Sequence, residues 1–500
     1  MTKPRGELCW QSTVLIHFQP SDNKHTALPT SGRQNGSCAS PQSMIESIRS
    51  ASPTSTAEYE DHEPFETFKD KVPRLCHLYW PSYDLELERM KGGFSNRVIG
   101  IRVGKKPAIA SEEPGVAREP PPGSQIKDTE EGDISSKEDS TPALRDSLPP
   151  GDYVLRIPRF QSAHLAYDKR ILDLAGTYTE FGIPRVVAMD EDPSTTNPIG
   201  QPYILQLRLP GQRLVDVWDE LNQQQRLLVT KQMAAFSLDI QKATNPTGGL
   251  PDFESTRISA QAIPTKDFKF VGDAEDFKKP IEPQNPIEML CARLLRWYKK
   301  YSGPGCEDEP WLGLIEMVRS MQAVNGTFGP DTPIYYFHHG DLFPRNIMVA
   351  TPDAETATVT GILDWDEAHF APAVVALAPP AWLWVEAYWS ADIEEYVDEE
   401  GIWAHAQETP KNDEAKELKD VFDKIVGTEF LQYAYSPDAF EARKIWYSAK
   451  QRIGKSWVID ELSDMLEAWR SGKNGETENV KGGLTTPIDI TSTDDQEVGS

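Results

Sequence analysis

The sequence predicts an α+β chain, with a small β-rich part followed by a larger, mainly helical one. Three observations carry this. Short alternating or β-branched runs cluster between residues 85 and 210, amphipathic helical spacing takes over from Leu214, and a strand, polar loop and hairpin interrupt the helices between Tyr335 and Asp366.

In chain order, residues 1 to 60 are rich in Ser, Thr, Pro, Gln and Asn without a sustained period, and are expected to be a disordered extension. Phe65 to Val72 has the spacing of a short helix that Pro73 should end. Leu85 to Lys91 alternates like a strand, Gly92-Gly93 is a turn signal, and Phe94 to Val103 reads as the returning strand. Residues 105–149 are acidic and Pro-rich, which predicts a disordered insertion between adjacent strands. Strands resume at Asp152–Pro158, Ile183–Asp190 and Pro202–Gly211, with helical spacing over 162–178 between the first two.

Beyond Gly211, helices are expected at Leu214–Leu221, Gln224–Ile240, Ile287–Tyr301, Trp311–Val324 and across 411–471. From Gly472 the composition again predicts a disordered tail. The expected domains are therefore 61–210 with its insertion and 211–471, flanked by the two tails.

The chemistry concentrates in Tyr335-Tyr336-Phe337-His338-His339-Gly340-Asp341-Leu342-Phe343-Pro344-Arg345-Asn346, followed by Gly361-Ile362-Leu363-Asp364-Trp365-Asp366. Phosphoryl transfer from a nucleotide needs a carboxylate that orients or deprotonates the acceptor hydroxyl, and oxygen ligands for Mg²⁺. Asp341 suits the first need; Asn346 and Asp364 suit the second. Ile347–Ala350 and Val359–Leu363 are β-rich runs around the turn signal Thr351–Glu355, and pairing them would bring Asn346 and Asp364 to one end of a ribbon. Few protein oxygens plus water and phosphate is what Mg²⁺ prefers.

This stretch resembles the aminoglycoside phosphotransferase and choline kinase family, which carries His-Gly/Asn-Asp, then Asn, then Asp-Trp in this order. The run Leu363-Asp364-Trp365-Asp366-Glu367-Ala368-His369-Phe370-Ala371-Pro372 is similar to its fungal-type members. The resemblance implies a two-lobed, protein kinase-like fold that binds ATP and Mg²⁺. It also implies that Gly92, Gly93, Ser95 and Asn96 form a lid over the phosphates. Arg156, in Leu155-Arg156-Ile157-Pro158, takes the place of the cation that contacts them, held by Asp168 on the next helix, and the backbone around Gln206 to Arg208 meets the adenine. Asp341 is then the base, His339 the buttress of the loop, and Arg345 either a neutraliser of phosphate charge or the partner of a nearby acid; Asn346 and Asp364 bind the metal. His338 is read as structural.

Most members have Lys where this chain has Arg156. Arg is a planar, permanently charged fork and Lys a compact point charge. That departure keeps a second reading open, a nucleotide-binding pseudokinase or interaction platform with little transfer activity. Trp365 follows the metal Asp where a protein kinase has Phe-Gly, and no Ala-Pro-Glu segment follows, so the expected acceptor is a small-molecule hydroxyl. Trp382, Trp384 and Trp389 read as core. If one or two of them instead line a pocket with Glu386, Asp392 or Glu394, aromatic faces and carboxylates together favour a cationic amine.

Composition sets the remaining bounds. Lys plus Arg number 51 against 78 for Asp plus Glu, a formal charge of −27, which argues against nucleic acid as a partner. Five cysteines, at 9, 38, 76, 291 and 306, show neither CxxC spacing nor a neighbouring His cluster, so a zinc site is not expected and reduced thiols are. The run Val14–Phe18 is too short for a secretory signal and no stretch is long enough to span a membrane, so a cytoplasmic location is the expectation.

Overall fold

The computed structural model describes residues 65–68, 70–90, 96–105, 148–159, 164–192, 197–254, 263, 265–266, 282–301, 310–389, 401–450 and 456–476. The expected N-terminal extension, most of the expected insertion, Gly92, Gly93, Ser95, Asp392, Glu394 and most of the C-terminal tail lie outside these residues. The chain divides into two compact units, one of Met1–Thr177, Gly182–Gly211 and Thr360–Leu363, the other of Tyr178–Phe181, Gln212–Val359 and Asp364–Ser500.

The first unit is built on a five-stranded antiparallel sheet. Helix α1 (Lys71–Tyr79) precedes strands β1 (Tyr83–Arg89), β2 (Asn96–Lys105) and β3 (Gly151–Pro158); helix α2 (Leu165–Tyr178) then leads to β4 (Val186–Asp190) and β5 (Tyr203–Leu207). The sheet order is β1-β2-β3-β5-β4. β2 and β3 pair from Asn96↔Pro158 to Val103↔Gly151, so the long acidic segment joins two neighbouring strands, a connection that leaves the ladder intact. The core is apolar: Val72, Leu75 and Trp80 pack with Ile99, Ile101, Leu155, Ile157 and Leu205.

One local expectation fails here. Pro73 does not end a helix; it sits in the first turn of α1, after a separate 3-10 turn at Phe65–Phe68. The first N–H groups of a helix have no partner within it, so proline costs nothing at that position.

The second unit is mainly helical. It opens with β6 (Gln212–Arg213), α3 (Leu214–Val217), α4 (Gln223–Gln241), β7 (Thr244–Asn245), β8 (Leu250–Pro251) and β9 (Thr265–Lys266). Helices α5 (Pro286–Tyr301) and α6 (Trp311–Asn325) lead into β10 (Tyr335–His338), β11 (Ile347–Ala350), β12 (Thr358–Ile362, of which Thr360 onward counts with the first unit) and β13 (His369–Ala371). The chain closes with α7 (Ala373–Ala376), α8 (Glu386–Trp389), α9 (Gly401–His405), α10 (Asp413–Ala434), α11 (Ala439–Lys450) and α12 (Ser456–Glu476). Helix α12 runs past Gly472, where composition alone ended the ordered chain. The expected α+β division, an antiparallel sheet in the first part and helices in the second, is what the fold shows.

Two small sheets carry the loop after β10 and the segment after β12. One has the order β13-β10-β7 and the other β12-β11-β6. Helix α4 braces the turn between β11 and β12. Its Asn222 and Gln225 form a reciprocal capping box, Gln225 Nε2 donates to the Asp353 carbonyl at 2.9 Å, and Gln232 accepts from the Val359 N–H at 2.9 Å. No helix among the described residues is long and apolar enough to cross a membrane.

Candidate active site

The loop after β10 is shaped by its glycine. Gly340 has φ 87°, and a Cβ there would stand 2.4 Å from the Glu367 carbonyl oxygen. Glycine is needed both for the left-handed backbone and for the close approach. The turn continues through backbone bonds from Phe343 N–H to the Asp341 carbonyl at 3.1 Å and from Asn346 N–H to the Phe343 carbonyl at 2.8 Å, closing a 3-10 turn at Pro344–Asn346.

Asp341 is held on both carboxylate oxygens. Arg345 Nη2 donates to Oδ1 at 2.5 Å, and Asn346 Nδ2 donates to Oδ2 at 2.8 Å and to the Asp341 carbonyl at 2.9 Å. The guanidinium also lies over the Phe343 ring, 4.9 Å from its centroid. Of the two roles open to Arg345, pairing with a nearby acid is the one the geometry displays. The carboxylate keeps side-chain exposure of 21%, so it is fixed in direction yet open to a further hydroxyl.

His339 is buried, at 2% exposure, and its Nδ1 accepts the Asp341 N–H at 3.1 Å. An accepting Nδ1 carries no proton, so the ring serves the loop as a neutral acceptor. Trp365 packs on it with centroids 4.5 Å apart and stacks on Phe337 at 5.9 Å and 11°. The segment after β12 is thus fitted against the loop after β10 through Trp365.

Asp364 has φ 61°, the only non-glycine in the left-handed region among the described residues, and its side chain is exposed. A residue held in that region costs about 1–2 kcal/mol, and such strain gathers at functional positions. Asn346 is buried, and because its Nδ2 is committed to Asp341, its Oδ1 is the atom left for another partner. An amide oxygen and a carboxylate are hard oxygen donors, the set that suits Mg²⁺. No group of three or more His, Cys, Asp or Glu residues among those described could hold a metal ion, so any Mg²⁺ here would depend on water and phosphate oxygens as well.

The remaining expected site residues belong to the first unit. Asn96 opens β2, Arg156 lies half-buried in β3 between Val98 and Ile204 of the flanking strands, and Asp168 is in the first turn of α2. Gln206 is buried in β5, where its Nε2 finds no partner. Arg208 pairs with Glu88 at 2.7 Å. The Leu207 and Arg208 N–H groups already donate to the Arg185 and Asp152 carbonyls, at 2.9 and 3.0 Å. Those two donors are therefore already engaged.

Of the three tryptophans expected in the core, Trp382 and Trp384 are there and Trp389 is not. Trp382 and Trp384 are 1% and 2% exposed, and their indole N–H groups donate to the Leu342 and Ala406 carbonyls at 3.0 Å each. Trp382 therefore also steadies the residue after Asp341. Trp389 is half-buried and stacks on Trp218 at 4.9 Å.

Sequence reasoning missed a layer behind the loop. His338 and His369 face each other across β10 and β13, and both belong to a contact group with Trp446, Tyr447, Lys450 and the exposed Glu367. Burial, with Lys450 nearby, drives His338 down to about 3 and His369 well below its usual value, so both rings are neutral. The Lys450 ammonium holds Glu367 below the usual carboxylate range. His338 follows buried Tyr335 and Phe337 in β10, but its partners lie from about thirty to more than a hundred residues downstream and no local spacing announces them.

The sequence model of the phosphotransferase enzyme family matches residues 134–410, more than half of the chain. No curated protein matches significantly. Among solved structures, the chain is similar to the GDP complex of wild-type aminoglycoside 2'-phosphotransferase-IIIa, with 16% identity, 81% of this chain and 99% of that chain covered, and a TM-score of 0.34. For a spectinomycin phosphotransferase in complex with ADP and spectinomycin the values are 12%, 79%, 94% and 0.28. For an aminoglycoside phosphotransferase from Streptomyces rimosus they are 12%, 71%, 99% and 0.29.

Proposed function

The chain belongs to the phosphotransferase enzyme family, and from that premise we propose that it moves the γ-phosphoryl group of ATP to a hydroxyl of a small molecule. The observation that carries this reading is the Asp341 carboxylate, fixed by Arg345 on one oxygen and Asn346 on the other while its own N–H is anchored on His339.

The chemistry follows from that arrangement. Transfer of a phosphoryl group passes through a loose transition state, so the protein contributes mainly position and charge. An acceptor hydroxyl donating to Asp341 is aimed along the line of attack and is relieved of its proton as the bond to phosphorus forms. Both Asp341 oxygens are already held by hydrogen bonds, so orientation before attack is its larger contribution. Asn346, through Oδ1, and Asp364 would hold Mg²⁺, which supplies neutralisation of the phosphate oxygens when bound. In the first unit, Arg156, steadied by Asp168, would take the nucleotide phosphates, and Gly92, Gly93, Ser95 and Asn96 would cover them. Arg156 retains the charge that phosphate needs and adds a bidentate fork.

The test compares wild type with Asp341→Asn and Asp364→Ala in Mg-ATP binding and in transfer from labelled ATP to a panel of hydroxyl and amino-alcohol acceptors. The reading expects binding by wild type, transfer to at least one acceptor, and loss of transfer in both variants. No binding of Mg-ATP by wild type would sink it. Binding with no turnover on any acceptor would instead favour a nucleotide-binding pseudokinase, the reading that Arg156 in place of Lys supports.

A further inference from the structure

One face of α11 touches the end of β10, just before the Asp341 loop, and the segment that follows Asp364. The Tyr447 hydroxyl lies 2.9 Å from His338 Nε2, beside the buried His339 that anchors Asp341. Lys450, one turn on, donates to Glu367 Oε2 at 2.7 Å. The backbone of Glu367 is what Gly340 is packed against. Between them, the Trp446 indole donates to His369 Nε2 at 3.4 Å and stacks on the ring at 11°. His369 Nδ1 is 2.8 Å from the Glu367 carbonyl, so one neutral tautomer, protonated at Nδ1, satisfies both contacts. Trp403 covers the other face of Tyr447, with centroids 4.9 Å apart. The Lys450 side chain is only 8% exposed, and its ion-pair partner Glu367 reaches solvent at 47%.

We propose that Tyr447 and Lys450 are positioning residues of the phosphotransfer centre. Tyr447 sets the strand that delivers Asp341, and Lys450 sets the segment after Asp364, so that one rigid helix fixes the spacing of the base and the metal ligand. The proposal rests on the phosphotransfer reading for its consequence and on the contacts of α11 for its geometry. A displacement of about 1 Å at reacting groups costs on the order of 100-fold in rate.

The experiment uses the full chain and the variants Tyr447→Phe, Lys450→Met and Lys450→Arg, with Lys444→Met as control. Lys444 lies on the same helix but pairs with Glu461. Three quantities are read: Mg-ATP turnover with water as acceptor, split into kcat and KM; hydrogen exchange along the chain; and the melting midpoint. The expected result is a fall in kcat of about 10-fold or more for Tyr447→Phe and Lys450→Met with KM for ATP within about 2-fold. Exchange should quicken in 338–346 and 364–369 while α4 and α10 stay protected, Lys450→Arg should recover most of the rate, and Lys444→Met should change nothing. Wild-type kcat in both variants, or faster exchange spread over the whole helical unit with a matching drop in melting midpoint, would overturn the proposal. If wild type shows no turnover with water, the acceptor panel decides the phosphotransfer reading, and exchange alone decides the clamp: a local rise supports it and no local rise removes it.

Discussion

Asn346 spends both N–H groups of its side chain on Asp341, one on the carboxylate Oδ2 at 2.8 Å and one on the main-chain carbonyl at 2.9 Å. The pair is five residues apart and closes the loop on itself, so the amide oxygen is turned away from the carboxylate. Orientation of the base and presentation of the metal ligand are thereby one property of one side chain.

Asn346→Ala removes two hydrogen bonds at a buried position, and a stability loss of about 1–3 kcal/mol is expected from urea unfolding. Asn346→Asp keeps the size but sets a second carboxylate against Asp341, and like charges at that distance disfavour both ionised forms. Turnover of Mg-ATP should fall by about 100-fold or more in either variant. An Asn346→Asp protein with wild-type turnover and stability would show that the amide donor is not needed.

How far the sequence disclosed this site can be argued from the residues themselves. Asp341, Asn346 and Asp364 stood out because carboxylate and amide oxygens on a strand-loop-hairpin have few structural reasons to be there, and the hairpin followed from β-rich runs around Thr351–Glu355. The five strands of the first unit were legible for the same reason, since alternation is a local signal. Pro73 was misread because proline ends some helices and starts others, and only the chain before it distinguishes the two. Trp446, Tyr447, Lys450 and Glu367 were invisible as a group. Each looks ordinary in its own helix or turn, and their meaning is a contact between elements far apart in sequence.

Acid should destabilise the protein through the buried histidines. His338 takes a proton near pH 3 in the folded chain and near 6.5 when unfolded, so between those values the unfolded state holds the extra proton. Its contribution to stability is therefore fully present above about pH 6.5 and is lost as pH falls toward 3, at up to ~1.4 kcal/mol per pH unit. His369 shifts in the same direction. The charged groups facing them, Lys450, Arg443 and Arg293, reinforce the effect, and the Glu367 carbonyl, hydrogen-bonded to His369 Nδ1, opposes it. Urea midpoints measured from pH 7 to 4.5 should decline, and His338→Gln should flatten the decline by up to one proton. An unchanged slope in that variant would assign the acid sensitivity elsewhere.

Gly340→Ala combines a left-handed φ of 87° with a Cβ placed 2.4 Å from the Glu367 carbonyl oxygen. Backbone strain and overpacking each cost about 1–3 kcal/mol, so a loss of about 2–4 kcal/mol in unfolding free energy is expected. The obstacle is main-chain atoms, which a rotamer change cannot move aside. Turnover should fall with stability because the two segments forced apart carry Asp341 and, three residues before Glu367, Asp364. A variant within about 0.5 kcal/mol of wild type, the scatter of an ordinary surface substitution, would contradict the close approach.

Asp364 offers a sharper separation of strain from chemistry. Its φ of 61° is unfavourable for any residue with a Cβ, and its exposed carboxylate is the proposed metal ligand. Asp364→Gly and Asp364→Ala delete the same carboxylate, so whatever that group contributes is lost equally in both. The two differ in the backbone. Glycine relaxes at positive φ, although it also gains entropy in the unfolded chain, whereas alanine stays strained. Asp364→Gly should therefore be more stable than Asp364→Ala by about 0.5–1 kcal/mol in urea unfolding. Both should lose Mg²⁺-dependent turnover by about 100-fold or more, since stability regained at the backbone returns no oxygen to the metal. Equal stability of the two variants would mean that the left-handed backbone at Asp364 is not strained, and retained turnover in either would remove Asp364 from the metal site.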